Sequence, residues 1–161
     1  MSYQKSSSRF FTKFIPSLIL CLGGGWLTGL LTGHGIKHWY PHLIKPAATP
    51  PDYLFPIVWI VLYTMMAAAL TLLWVGKSAK KQRSFVYFGI QLFLNFIWSF
   101  LFFYLENPAI ALVDIVLLWI FIVLTICSFW RHTHWGSYLL LPYLAWVSYA
   151  VFLNYSIWLN N

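Results

Sequence analysis

Five long apolar stretches alternate with short polar segments along this 161-residue chain, and they limit its possible folds more than any other feature. They cover about residues 13–33, 54–75, 84–104, 109–130 and 135–158, and each is close to the ~20 residues that a helix needs to cross a bilayer. Only 8% of the residues are charged, against about 25% in a soluble domain. The sequence therefore predicts an all-α membrane protein, a five-transmembrane-helix bundle that forms one domain over residues 1–161.

The basic residues are distributed unequally between the two predicted sides of the membrane. Eight of the ten would lie on one side and two on the other. The eight are Lys5, Arg9, Lys13, Lys77, Lys80, Lys81, Arg83 and Arg131, and the two are Lys37 and Lys45. This positive-inside asymmetry predicts an N-terminus inside and a C-terminus outside. It accounts for the net charge of +7 without a nucleic-acid partner.

The first apolar stretch resembles a signal peptide but is longer than a typical signal core, and no small-residue cleavage site follows it. We expect it to be retained as a membrane span. Its Gly25, Gly29 and Gly33 recur every four residues, a pattern that lets two helix backbones approach closely in lipid. Packing within one chain is the preferred interpretation, and a homodimer interface is the alternative.

A long loop is predicted from His34 to Thr49. His34, His38 and His42 are spaced by four, which on a helix would align three imidazoles at a metal or haem-iron site. Pro41 interrupts such a helix, so solvated histidines are the favoured interpretation. Beyond the loop, Asp52 is predicted to cap the second span, and Pro56 to lie near its first turn.

Aromatic and polar residues recur on single faces of the later spans. Trp59 and Tyr63 are one turn apart, and Gln91, Asn95 and Trp98 share a stripe. Two amides in hydrocarbon indicate either hydrogen bonds between helices or the lining of a cavity. Asp114 is the one acidic residue inside a predicted span. It either anchors the helices structurally or belongs to a functional site, and both interpretations remain open.

Trp146 and Ala150 share a face of the fifth span, where the small alanine leaves room for a ligand or a neighbouring helix. Trp39 and Tyr40 suit either the headgroup level or a lid over a cavity. These residues predict an aromatic cavity that opens to the outside face and suits a flat apolar ligand. The sequence shows no Ser/His/Asp arrangement, close carboxylate pair, phosphate loop or metal cluster. Cys21 and Cys127 form no metal-site spacing.

Short motifs along almost the whole chain resemble those of one family, the translocator proteins, also called tryptophan-rich sensory proteins or peripheral benzodiazepine receptors. The motifs, in family order, are Ile15-Pro16-Ser17-Leu18, Trp39-Tyr40, Lys45-Pro46, Pro50-Pro51, Val58-Trp59 with Leu62-Tyr63, Gln91 with Asn95 and Trp98, Ala111-Leu112-Val113-Asp114, and Pro142-Tyr143-Leu144-Ala145-Trp146 with Leu153-Asn154-Tyr155. Each motif is weak by itself, and together they are highly specific.

The resemblance implies five membrane helices, frequent homodimers, and a pocket beneath the first long loop that takes porphyrins, drugs or, in animals, sterols. The pocket residues that it implies are Trp39, Tyr40, Trp59, Tyr63, Gln91, Asn95, Trp98, Asp114, Trp146 and Ala150. It also implies that light-dependent porphyrin degradation, where it occurs, involves Trp59 and Trp146.

The chain departs from the family at Ala48 and Ile110, where a tryptophan is usual, and no basic residue follows Tyr155, which disfavours sterol binding there. The absence of a basic tail after the fifth span suggests a bacterial cell membrane. We expect a receptor or carrier for porphyrins and similar flat apolar ligands, with no cofactor besides that ligand and with membrane lipid around it. A light-dependent porphyrin-degrading enzyme and a regulatory or sensory scaffold are the alternatives.

Overall fold

The computed structural model describes residues 2–76 and 80–161, and side chains from residue 9 onward within them. In this part of the chain every regular element is helical. The elements are α1 (Ser2–Leu18), a π-helical turn (Ile19–Gly23), α2 (Gly24–His38), a 3-10 turn (Tyr40–His42), α3 (Leu54–Val75), α4 (Gln82–Ser99), a second π-helical turn (Phe100–Tyr104), α5 (Pro108–Trp130) and α6 (His134–Asn160). Lys77 and the side chain of Lys5, both counted in the charge asymmetry, lie outside the described residues.

Five helical segments are long and apolar enough to cross a membrane, which confirms the predicted fold class. They are Arg9–His38, Leu54–Val75, Gln82–Tyr104, Pro108–Trp130 and His134–Asn160. Large apolar side chains cover their outer surface, as lipid contact requires, and Trp26, Phe93 and Val113 are each more than 60% exposed. The protein is therefore an integral membrane protein.

Two local predictions near the first loop are wrong. The first span remains helical to His38, so the loop begins at Trp39 rather than near His34. The side chain of Asp52 does not cap α3, because the helix begins at Leu54 with Tyr53 in the capping position. Backbone bonds take the place of a cap: the N–H of Leu54 donates to the Pro51 carbonyl at 3.0 Å. Pro56 lies in the first turn, as predicted.

The helices form a closed ring. Along it, α3 packs between the first span and α6, α6 packs on α5, α5 packs on α4, and α4 returns to the first span. We call the end with the 39–53 loop and the C-terminus the loop end, and the end with the start of α1 the basic end. The loop end is held together by the Asn161 amide, which accepts from the N–H of Ile44 at 2.9 Å and donates to its carbonyl at 3.2 Å.

The first span changes neighbours halfway along its length. Its α1 part packs on α3, whereas its α2 part packs on α4 and the second π-helical turn. Glycines allow this crossing: Gly25 faces the Tyr63 ring, and Gly35 lies so close to the carbonyl of Phe103 that no side chain fits. Gly29 faces open space. Gly25 therefore packs within the chain, and the homodimer interface stays a prediction.

Candidate ligand site

The start of the 39–53 loop closes the bundle with aromatic rings. Tyr40 is buried and packs edge-on against Phe103 at 5.5 Å between centroids, while Trp39 packs against Phe102 at the same distance. The Lys45 ammonium lies 4.0 Å from the centre of the Tyr40 ring. Burial, with Asp52 and Tyr149 nearby, raises the pKa of Tyr40 to about 12. Trp39 and Tyr40 thus form part of a docked cover rather than a free headgroup anchor.

The rest of the loop is fastened to α6. The hydroxyl of Tyr149 donates to the carbonyl of Ala48. The hydroxyl oxygen of Thr49 is buried and has no partner in the described structure. The loop is therefore tied to α6, and the Thr49 hydroxyl is one of its buried polar groups.

Asn95 connects three helices in the middle of the bundle. Its carbonyl oxygen accepts from the Tyr63 hydroxyl of α3 at 2.5 Å, and its amide nitrogen donates to the Tyr143 hydroxyl of α6 at 3.1 Å. All three side chains are buried. Of the two alternatives for this amide, the structure supports a hydrogen bond between helices, with the two tyrosines as partners.

Trp98 is bonded toward the loop end of α4. Its indole N–H donates to the Asn154 side-chain oxygen at 3.0 Å, and the Asn154 amide donates to the Pro108 carbonyl at 2.8 Å. The Trp98 ring also stacks on Phe102 at 5.3 Å. Asn154 fixes the position of a predicted site residue but was not predicted to belong to the site. Its amide within a membrane span was the available signal.

Three other predicted site residues carry buried polar atoms without a partner in the described structure. They are both amide atoms of Gln91, Oδ2 of Asp114 and the indole nitrogen of Trp146. Gln91 is 1% exposed and Asp114 7%, so both side chains are buried. Unpaired buried polar groups are rare in native proteins, since each costs about 1–3 kcal/mol. These atoms are therefore the polar groups of the predicted site that still lack a partner in the described structure.

The two tryptophans implied in light-dependent chemistry have different surroundings. Trp59 contacts Tyr63 at 5.3 Å and Tyr143 at 6.4 Å, whereas Trp146 packs against Phe55 at 5.9 Å. Trp146 also lines a groove of about 550 Å³ between α3 and α6, on the outer surface of the bundle. Ala150, one turn along α6, is half-buried against the main core.

The histidines near the loop end form a row but no metal cluster. The rings of His34 and His38 lie 4.7 Å apart on α2, and the His42 ring nitrogen Nδ1 lies 2.8 Å from the His38 carbonyl. Among the described residues, no three His, Cys, Asp or Glu side chains come close enough together to hold a metal ion.

Fold and site together define a class: an integral membrane protein of five helices whose aromatic and amide side chains meet inside the bundle. Comparison with known proteins then gives the family. A model of the TspO/MBR family matches residues 17–159, and the chain belongs to that family. The resemblance seen in the sequence motifs is thus confirmed.

Relatives occur in several kinds of organism. The tryptophan-rich protein TspO of Chlorobaculum tepidum is 47% identical over 141 residues, covering 86% of this chain and 89% of the relative. The protein of the same name from Archaeoglobus fulgidus is 39% identical, covering 92% and 97%. The translocator protein of Sus scrofa is 33% identical, covering 90% and 87%. Names among these and other relatives include translocator protein and tryptophan-rich sensory protein, which supports a membrane sensory or translocator role.

Proposed function

We propose that this protein is a membrane receptor or carrier that binds a porphyrin or a similar flat apolar ligand inside the bundle, beneath the 39–53 loop. The observation that carries the proposal is the set of unpartnered polar atoms on Gln91, Asp114 and Trp146. Three helices supply them, and all three residues belong to the set that the family motifs imply. A ligand that bonded to these atoms would offset the cost of leaving buried polar groups unpaired.

The chemistry of the surroundings favours a flat ring system with a few polar groups. Trp59 and Tyr63 offer aromatic faces, and such faces stack on flat π-systems. The amide of Gln91 can both donate and accept, and the indole of Trp146 can only donate. A porphyrin combines a large apolar face with ring N–H groups and carboxylates, so it can satisfy both kinds of partner.

Titration of the purified protein with protoporphyrin in the dark tests this proposal. Gln91→Leu should weaken binding about tenfold, since a hydrogen bond to a neutral group contributes about 1 kcal/mol and a desolvated one more. Thr71→Val is the matched control, because Thr71 is also buried and polar but bonds to the Ala67 carbonyl of its own helix. Unchanged affinity in Gln91→Leu would contradict the proposed site.

Light-dependent porphyrin degradation is a second candidate, favoured by the contacts of Trp59 with Tyr63 and Tyr143. Trp59 is half-buried, and its ring contacts these two buried, oxidisable tyrosine rings. Illumination of the protoporphyrin complex separates the candidates. An enzyme would be supported if the wild type loses pigment in light and Trp59→Phe blocks that loss. Trp74→Phe at the basic end is the control and should not block it. Pigment that stays bound and intact would support the receptor or carrier.

The regulatory scaffold remains a third possibility, and it would be favoured if protoporphyrin does not bind at all. We further propose a homodimer in a bacterial cell membrane, with the basic end facing the cytoplasm. Thiol labelling of Lys80→Cys in a Cys127→Ser background tests the orientation. An impermeant reagent should label Lys80→Cys only after the cells are opened, and labelling of intact cells would reverse the assignment.

A further inference from the structure

A second groove, of about 370 Å³, lies at the basic half of the bundle, between the first span and α4. It is lined by Leu20, Leu70, Trp74, Phe85, Phe88, Gly89 and Leu92. The groove exists because α1 packs on α3 while only the later α2 part of the first span packs on α4. The basic halves of the first span and α4 therefore diverge, and their gap opens toward lipid.

The groove has an apolar floor and an open wall. Leu70, Phe88 and Leu92 form the floor and are at most 5% exposed. A Cβ at Gly89 would meet no atom within 4 Å, so the wall is free of side chains there. Trp74 and Phe85 stand edge to face at 6.5 Å, near the end of the groove that points to the basic end. The apolar lining offers dispersion contacts to a hydrocarbon chain.

Cations surround this end of the groove. The Lys13 ammonium lies 4.4 Å from the centre of the Trp74 ring. Arg9 is one turn earlier on the same face of α1. On the other side, the Lys81 ammonium donates to the carbonyls of Trp74 and Gly76. Burial lowers the pKa of Lys81.

None of these cations is close to a carboxylate of its own chain. The three acidic residues are Asp52 in the 39–53 loop, Glu106 between α4 and α5, and Asp114 in the second turn of α5. All three belong to the loop end or the half of the bundle next to it, as does the C-terminal Asn161. No carboxylate of the chain therefore neutralises these cations at the basic end, and they are available to an anionic group from outside the chain.

We propose that this groove binds one anionic phospholipid, with an acyl chain along the groove and the phosphate between Lys13 and Lys81. The apolar lining of the groove ends beside these cations. The lining is complementary to the acyl chain of an anionic lipid, and the cations are complementary to its headgroup. Basic sites between membrane helices commonly take anionic headgroups. This inference does not depend on what the interior binds.

Native mass spectrometry of the purified protein, equilibrated with phosphatidylglycerol or phosphatidylcholine of equal chain length, tests the proposal. The wild type should retain the anionic lipid preferentially. Lys13→Gln should lower that preference about fivefold, the equivalent of ~1 kcal/mol per basic residue at a membrane surface. Gly89→Leu should lower retention of the lipid by filling the groove, and it improves helix propensity, so the fold should persist.

The chain offers a matched control for each variant. Gly29→Leu adds the same side chain at another glycine with open space around it. Lys37→Gln removes a charge from the loop end. Both should retain lipid like the wild type. Equal retention of the two lipids by the wild type would overturn the proposal, as would losses in the controls as large as those in Lys13→Gln and Gly89→Leu.

Discussion

Gln91 and Asn95 make the sharpest test of the site, because they are similar amides one turn apart on the same stripe of α4. Asn95 is bonded to two tyrosines, whereas neither polar atom of Gln91 has a partner in the described structure. Replacing each by leucine should therefore affect a different property of the protein. We expect Asn95→Leu to destabilise the empty protein and Gln91→Leu to weaken ligand binding.

The expected magnitude for Asn95→Leu follows from the bonds that it removes. Hydrogen bonds between membrane helices average about 0.6 kcal/mol and reach about 1.7. Loss of two bonds therefore costs about 1–3 kcal/mol in free energy of unfolding, because the buried hydroxyls of Tyr63 and Tyr143 lose their common partner. Gln91→Leu removes a polar group that is already unpaired, so the empty protein should be as stable as the wild type or up to ~1 kcal/mol more stable.

Two measurements on each variant are needed: the free energy of reversible unfolding in mixed micelles without ligand, and the affinity for protoporphyrin. A double-mutant cycle adds the control. In a background of Tyr63→Phe and Tyr143→Phe, Asn95→Leu should cost much less, because its partners are already absent. A stable Asn95→Leu with weakened binding, or a Gln91→Leu that loses more than ~1 kcal/mol of stability, would refute the assignment of roles.

Three further predictions concern other parts of the bundle. Ala150→Leu should weaken protoporphyrin binding about tenfold by obstruction and change the unfolding free energy by less than ~1 kcal/mol, since helix propensity barely changes; intact affinity with collapsed stability would instead make Ala150 a helix-packing residue. Gly35→Ala should cost about 1–3 kcal/mol because its Cβ would overlap the Phe103 carbonyl, whereas Gly33→Ala, with open space around it, should not destabilise in the same unfolding assay. The absorbance difference between wild type and Tyr40→Phe should titrate at about pH 12 rather than 10.0. Because an unfolded tyrosine ionises at lower pH than the buried one, the stability that Tyr40 contributes should be lost as pH rises from 10 to 12. A midpoint near 10 would show that the Tyr40 cover is open.

The spans could be read from the sequence because their signal is local. The predicted ranges 54–75 and 109–130 differ from α3 and α5 by at most one residue. The first span was predicted too short because the polar and histidine-bearing residues after Gly33 lowered its hydropathy without ending the helix. The Asp52 cap failed because backbone bonds already close the turn before α3.

The sequence by itself determined which residues share a face, since a helix repeats every 3.6 residues whatever surrounds it. It placed Gln91 and Asn95 on one stripe and left open whether an amide there bonds or waits for a ligand. Only the tertiary structure showed that Asn95 is bonded while Gln91 has no partner in the described residues, because the partners of Asn95 come from α3 and α6, whose depth and rotation depend on contacts far apart in the chain. The crossing of the first span, and the groove that it opens beside Gly89, depend on the same long-range packing.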